Sequence, residues 1–279
     1  MGVMNEASSP RPDFVIAGAM RSGTTSLTRY LDAHPDIFIA PKEMGFFTEH
    51  YDRGIDWYRE QFSDAGEATC LGESTADYLA RADAMTRLAE AFPDVHVIAT
   101  LRNPVDRAWS HYWLQKERGK DDRTFEEAVE FEASRIDQFG PSAEGVFYLF
   151  HGLYDHQLNH ALALFPSDQL SIVIFERMVE DPVSVYQSLC RSLGVDDRVV
   201  PEIVGQRVNR YVTFRSLRLR SLSHRLPSLL RRAVARLNTR LDVSYPEIPP
   251  GPAEQLRVFF RPTIEGVEAV LGERIGEWH

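Results

Sequence analysis

The feature that most constrains the fold is the stretch Gly18-Ala19-Met20-Arg21-Ser22-Gly23-Thr24-Thr25. It stands directly behind the apolar run Phe14-Val15-Ile16-Ala17-Gly18 and opens a segment, Thr24 to Leu31, that reads as a helix. A short apolar run bounded by glycine marks a strand covered on both faces. Strand, glycine-rich turn and helix in that order make an anion site: backbone N–H groups and the positive helix end face whatever sits in the turn. Thr24, Thr25 and Ser26 add hydroxyl donors. The glycine spacing is that of a nucleoside-triphosphate loop, yet Thr24-Thr25 stands where a lysine and a hydroxyl residue should follow the second glycine, and the basic residue lies inside the loop at Arg21. The missing lysine is the group that reaches the β and γ phosphates, and the hydroxyl beside it holds magnesium. A nucleotide with a single 5′ phosphate and a short transferable group suits this loop better than ATP.

The alternation of strand and helix recurs. Val95 to Leu101 reads as a buried strand ending at Arg102, and Pro104 suits the first turn of a helix running to about Lys116. Leu170 to Phe175 is a third such strand, Pro182 to Leu193 a helix stopped by Gly194, and Pro252 to Leu271 a closing helix. This pattern predicts an α/β protein with a parallel sheet and helices on both faces. Residues 13–279 are expected to form one domain behind a disordered lead, 1–12. Between 205 and 245 the pattern changes: Leu219, Leu222, Leu226, Leu229, Leu230, Val234, Leu237 and Leu241 fall at helical spacing among arginines, and Pro227 should split them into two helices. This Arg/Leu-rich stretch reads as a helical insertion or lid.

A chain of 279 residues that is 43% hydrophobic can bury a sizeable core without staples, which excludes fibrous and wholly disordered readings. No run approaches the roughly 20 apolar residues of a spanning helix. Met1 to Asp13 lacks the apolar run of a secretory signal, and only two cysteines occur, Cys70 and Cys190, so a cytoplasmic protein without disulfides is expected. Residues 205–240 hold ten arginines and no Asp or Glu on a chain of net charge −10. That contrast points to an anionic partner for one face, an acidic saccharide or a lipid at a peripheral membrane contact, and the overall acidity argues against nucleic acid.

Several motifs in order carry a family resemblance: Gly18 to Leu27, His34-Pro35, Lys42-Glu43, Phe46-Phe47, Gly54-Ile55-Asp56-Trp57-Tyr58, Gly72-Glu73-Ser74-Thr75-Ala76-Asp77-Tyr78, and Leu101-Arg102-Asn103-Pro104 with Arg107-Ala108 and Ser110. Together they resemble the sulfotransferases that use 3′-phosphoadenosine 5′-phosphosulfate (PAPS), in the branch of the heparan sulfate sulfotransferases and their bacterial relatives. The resemblance implies a P-loop-type, doubly wound parallel sheet with helices on both faces, in which Arg21, Ser22, Gly23, Thr24, Thr25 and Ser26 hold the 5′ phosphosulfate while Arg102 and Ser110 grip the 3′ phosphate. It also implies that Glu43, before the Phe-Phe pair, is the general base for a hydroxyl, or less often an amine, of a carbohydrate or glycosylated small-molecule acceptor, while the arginine segment leaves room for a lipid. Arg102 at the carboxyl end of a parallel strand, with a planar fork suited to phosphate, agrees on physical grounds.

Sulfuryl transfer builds negative charge on the leaving oxygen, so fixed cations should stabilise it, and Arg21 and Lys42 are the candidates. The family usually carries lysine where this chain has Arg21; arginine stabilises charge but is a poor proton donor. The Lys-Gly-Arg loop of heparan-type enzymes is replaced by Leu241-Asp242-Val243-Ser244-Tyr245-Pro246, leaving Arg207, Arg210 or Arg215 as substitutes. Glu73 and Asp77 are read either as substrate-orienting or as structural hydrogen-bonding groups. His156 and His160, four apart, have metal-ligand spacing but no third ligand in view, so no metal is expected. A P-loop kinase using ATP and magnesium, and a binding protein without catalysis, stand as alternatives.

Overall fold

A computed structural model of the chain describes residues 10–139, 148–206, 211–214, 230, 234, 239–242 and 245–279. Every residue of β1 (Phe14–Gly18) is buried, as its unbroken apolar run requires. It forms a five-stranded parallel sheet with β2 (Ile37–Ile39), β3 (Cys70–Ser74), β4 (His96–Leu101) and β5 (Leu170–Ile174), in the order β2-β3-β1-β4-β5. The chain passes from β3 over β1 to β4, so the strand order reverses around β1, and ligands of such sheets bind beyond the carboxyl ends of strands at that reversal. The expected doubly wound parallel sheet flanked by helices is the fold found.

Two compact units divide the chain: Met1–Asn103 with Leu153–Gln206 and Thr263–His279, and Pro104–Gly152 with Arg207–Pro262. The first holds the sheet with α1 (Thr24–Asp32), α2 (Ile55–Glu60), α3 (Ala82–Ala91), α6 (Tyr154–Leu164), α7 (Phe175–Glu180) and α8 (Pro182–Leu193). Asp181 caps α8 by accepting from Ser184 N–H, Pro182 takes the first helical position and Gly194 closes the helix at φ 73°, so this stop is the one expected from composition. Its core joins Val15, Ala17, Val97, Ala99 and Leu101 to the aromatic group Phe46, Phe47, Tyr58, Tyr78 and Phe92. Cys70 and Cys190 are buried free thiols, and His160 turns to Ala82 O while His156 stands beside Asp155.

The second unit contains α4 (Pro104–Arg118), α5 (Phe125–Phe139), the antiparallel pair β6 (Tyr211–Phe214) and β7 (Thr239–Asp242), and the first part of α9 (Pro250–Leu271). Buried Arg107 donates to Tyr148 O, and Glu132 accepts from the N–H groups of Tyr148, Leu149 and Phe150. Two helices were the expectation for 205–245, but its ends pair as strands, Tyr211 opposite Asp242. Tyr-Val-Thr-Phe is a strand-forming tetrad, and Leu241, assigned to the helical spacing, lies in β7. Leu230 and Val234 are helical. The rest of that segment, with Arg207, Arg210, Arg215 and most of its other arginines, lies outside the described residues, as do residues 1–9 of the expected lead. Among the described residues no helix is long and apolar enough to cross a membrane.

Candidate active site

The turn after β1 is held from beneath. Ala19 N–H donates to Thr100 O at 2.7 Å and Thr100 Oγ1 donates to Gly18 O at 2.9 Å, tying the turn to the end of β4. Gly23 begins α1 at φ 90°, in the left-handed region. A Cβ there would stand 2.6 Å from Phe175 Cδ2 and 2.7 Å from Met178 Cε, so glycine is required both by conformation and by the close approach of α7. The first turn of α1 has no side-chain cap and no acidic residue. No side-chain carboxylate or hydroxyl therefore offsets the positive helix end there. Ser22 Oγ is fully buried without a partner among the described residues.

Lys42 and Glu43 follow β2 on a turn that β3 holds by its exit. Glu43 N–H donates to Ser74 O at 2.8 Å, Ala76 N–H to Glu43 Oε2 at 3.2 Å, Gly45 N–H to Thr75 Oγ1 at 3.3 Å and Phe47 N–H to Tyr78 OH at 3.3 Å. Arg87 closes the far end by donating to Phe47 O at 2.8 Å. Lys42 Nζ lies 2.5 Å from Thr25 Oγ1 and 3.2 Å from Glu43 Oε1, so a single ammonium joins the first turn of α1 to the carboxylate. Thr28 Oγ1, 2.8 Å from Ser74 Oγ and 2.7 Å from Thr24 O, ties α1 to the end of β3.

Among the described residues only Arg21 (φ 73°) and Glu43 (φ 60°) are non-glycine residues in the left-handed region. Each such conformation costs on the order of 1–2 kcal/mol. The surrounding hydrogen bonds must impose this strain, and it falls on two residues that the sequence singled out for chemistry.

Arg102 leaves β4 with its guanidinium over the Phe175 ring, 5.1 Å from the centroid, and its Nε is buried without a partner among the described residues. Tyr154 OH donates to Arg102 O at 3.0 Å, while Glu176 accepts from Asn103 N–H and from Trp278 Nε1, both at 3.0 Å. Phe175 thus touches both the phosphate loop at Gly23 and Arg102. Ser110 is buried on α4, in the second unit.

The structure thus brings Thr25, Lys42 and Glu43 together and sets Arg102 just beyond the carboxyl end of β4, the strand beside β1. Glu73 proves fully buried, which removes it from direct contact with an acceptor. Burial pushes its carboxyl up to about 8, against hydroxyls from Tyr78, Thr75 and Tyr58. Asp77 is raised by burial as well, with Arg81 opposing. The roles of Thr75, Tyr78 and Phe175 escaped sequence reasoning. Thr75 and Tyr78 stand in the quoted Gly72-to-Tyr78 motif, but their partners lie about 30 residues away in the chain; Phe175 looked like the last residue of a strand.

A sulfotransferase domain model matches residues 11–240. Over 180 residues the chain is 30% identical to human heparan sulfate glucosamine 3-O-sulfotransferase 3A1, covering 64% of this chain and 43% of that protein. Over 199 residues it is 32% identical to human bifunctional heparan sulfate N-deacetylase/N-sulfotransferase 3, covering 66% of this chain and 22% of that protein. The matched region is less than half the length of either relative. A sulfotransferase crystal structure from Alicyclobacillus acidocaldarius superposes with a TM-score of 0.74 at 29% identity, covering 96% of this chain and 98% of that one. Mouse SULT7A1, solved in complex with PAP, shares the fold at a TM-score of 0.52 and 12% identity, over 93% of this chain and 87% of that one.

Proposed function

This chain belongs to the sulfotransferase family, and we propose that it moves the sulfuryl group of PAPS to a hydroxyl, or less often an amine, of a carbohydrate or glycosylated small molecule. The observation that carries this reading is Lys42, whose ammonium touches both Thr25 in the first turn of α1 and the Glu43 carboxylate. An anion held by the loop and a base acting on an incoming nucleophile need that spatial relation.

The residues present suit the donor. The uncapped start of α1, the orphaned Ser22 Oγ and the hydroxyls of Thr24, Thr25 and Ser26 suit a phosphosulfate. Arg102, whose Nε has no partner among the described residues, suits the 3′ phosphate. The donor supplies an activated sulfuryl group whose leaving group is adenosine 3′,5′-bisphosphate.

The chain's own work is then proton transfer and charge stabilisation. Glu43 takes the acceptor's proton as the new bond to sulfur forms; the bond from sulfur to the 5′ phosphate oxygen breaks, and its electron pair leaves with the bisphosphate. Lys42 and Arg21 stabilise charge on the transferred group and the leaving oxygen. Arg21 acts as a fixed cation, not as an acid. Saccharide acceptors follow from the names of the relatives, which act on heparan sulfate.

Calorimetry with adenosine 3′,5′-bisphosphate against ATP and magnesium tests the nucleotide. Preference for the bisphosphate is expected, and preference for ATP would refute the reading in favour of a kinase. Labelled-sulfate transfer from PAPS to an unsulfated heparosan hexasaccharide and to simple glycosides tests the base. Glu43→Gln should lower kcat by ~10²- to 10⁴-fold with unchanged bisphosphate affinity; parent-like turnover removes Glu43 from the mechanism.

A further inference from the structure

Glu73 is fully buried near the end of β3, and among the described residues neither carboxylate oxygen has a partner at full hydrogen-bond geometry. The hydroxyls of Tyr58 from α2 and of Thr75 and Tyr78 beyond β3 surround it, and the Glu43 carboxylate is the charged group that bears on it. Two of these hydroxyls are already acceptors: Thr75 Oγ1 from Gly45 N–H and Tyr78 OH from Phe47 N–H. A hydroxyl that accepts from the backbone keeps its own proton to donate. The Glu73 carboxyl is the group on which the Thr75 and Tyr78 hydroxyls bear. Tyr58 OH is buried with no other partner among the described residues.

We infer that Glu73 is a positioning residue for the reaction: through the Thr75 and Tyr78 hydroxyls it fixes the turn from Glu43 to Phe47, and with it the direction of the Glu43 carboxylate. The inference rests on Glu43 being the base. A carboxyl in this place is costly, because burial disfavours its charge and an apolar residue would pack more cheaply. Its value lies in orienting two hydroxyls that each hold one backbone N–H of the turn. The strained φ of Glu43 (60°) shows that the turn must be imposed by its surroundings. Burial pushes Glu73 up to about 8, so near neutrality its neutral form is favoured and it places little added charge behind the turn.

The test compares the parent, Glu73→Gln, Tyr78→Phe and the double variant in sulfate transfer from PAPS to an unsulfated heparosan hexasaccharide. Adenosine 3′,5′-bisphosphate calorimetry and urea unfolding at pH 8 accompany the kinetics. Glu73→Gln is expected to lower kcat ~10- to 100-fold, the cost of misaligning a reacting group. Bisphosphate affinity should stay within about twofold and the unfolding midpoint should not fall, a combination that a purely structural role would not produce. The double variant should lose little more than the worse single variant, since both cut the same chain of contacts. Parent-like kcat in Glu73→Gln, or fully additive losses, overturns the inference. Should Glu73→Gln fail to fold, Thr75→Val combined with Tyr78→Phe cuts the same contacts, and an unchanged kcat there overturns it equally. Glu43→Gln assayed in parallel separates the two claims: an active Glu43→Gln enzyme refutes the base itself, whereas an inactive one beside a parent-like Glu73→Gln refutes only the positioning role.

Discussion

Lys42 donates to Thr25 Oγ1 at 2.5 Å, which links the turn that carries Glu43 to the first turn of α1. The same ammonium stands 3.2 Å from Glu43 Oε1. A cation shared between the loop after β1 and Glu43, the proposed base, suits the proposed transfer: it would stabilise charge on the sulfuryl group and hold the carboxylate in one direction.

Replacing Lys42 by Met keeps the length and removes the charge. In this enzyme kcat should drop ~10²-fold, the usual effect of deleting one preorganised donor, while bisphosphate affinity measured by calorimetry changes much less. A kcat within twofold of the parent would reduce Lys42 to a rim charge.

Gly23→Ala places a Cβ 2.6 Å from Phe175 Cδ2 at a residue with φ 90°. The combined conformational and packing conflict should destabilise the fold by about 1–3 kcal/mol in urea unfolding, and the displaced loop should bind bisphosphate more weakly. Parent-like stability would mean that the loop and α7 are less closely packed than described.

Phe175→Leu retains an apolar side chain against Gly23 and removes the ring beneath Arg102. The loss of a cation–π contact worth about 0.5–2 kcal/mol should weaken bisphosphate binding by roughly 2- to 30-fold, with a stability change below about 1.5 kcal/mol. Calorimetry showing unaltered affinity would dismiss the ring as a support for Arg102.

The buried Glu73 also predicts how stability follows pH. Its native value of about 8 lies above the ordinary 4.5, so between those values the folded chain holds a proton that the unfolded chain has released. Stability contributed by this group is therefore full below about pH 4.5, falls as pH rises towards 8 and levels off above it, with a slope of at most about 1.4 kcal/mol per pH unit. Glu73→Gln should flatten that slope in urea titrations at pH 5, 7 and 9; identical slopes in parent and variant would contradict the burial of an ionisable Glu73.

What was legible in the sequence was local. Apolar runs of four to six residues announced β1, β4 and β5, and Pro182 and Gly194 bounded α8 within the chain itself. The anion loop was equally plain, because strand, glycine and hydroxyl residues are contiguous. Glu43 and Arg102 were named through resemblance and through their places after strands. The helical reading of Tyr211–Phe214 and Thr239–Asp242 failed because leucine spacing was weighed above the strand propensity of Tyr-Val-Thr-Phe, and pairing between segments 24 residues apart leaves no local trace.

By itself, then, the sequence determined the order of elements, the glycine- and hydroxyl-rich loop proposed to receive an anion and the residue types proposed for proton transfer, since these depend on neighbours along the chain and on backbone preferences. Tertiary structure decided which of them act on one another: Lys42 with Thr25, Phe175 with both Gly23 and Arg102, and Glu73 beneath the turn that holds Glu43. Those relations arise from the crossover order of a parallel sheet, which gathers the carboxyl ends of strands distant in sequence, and no pattern read along one segment contains them.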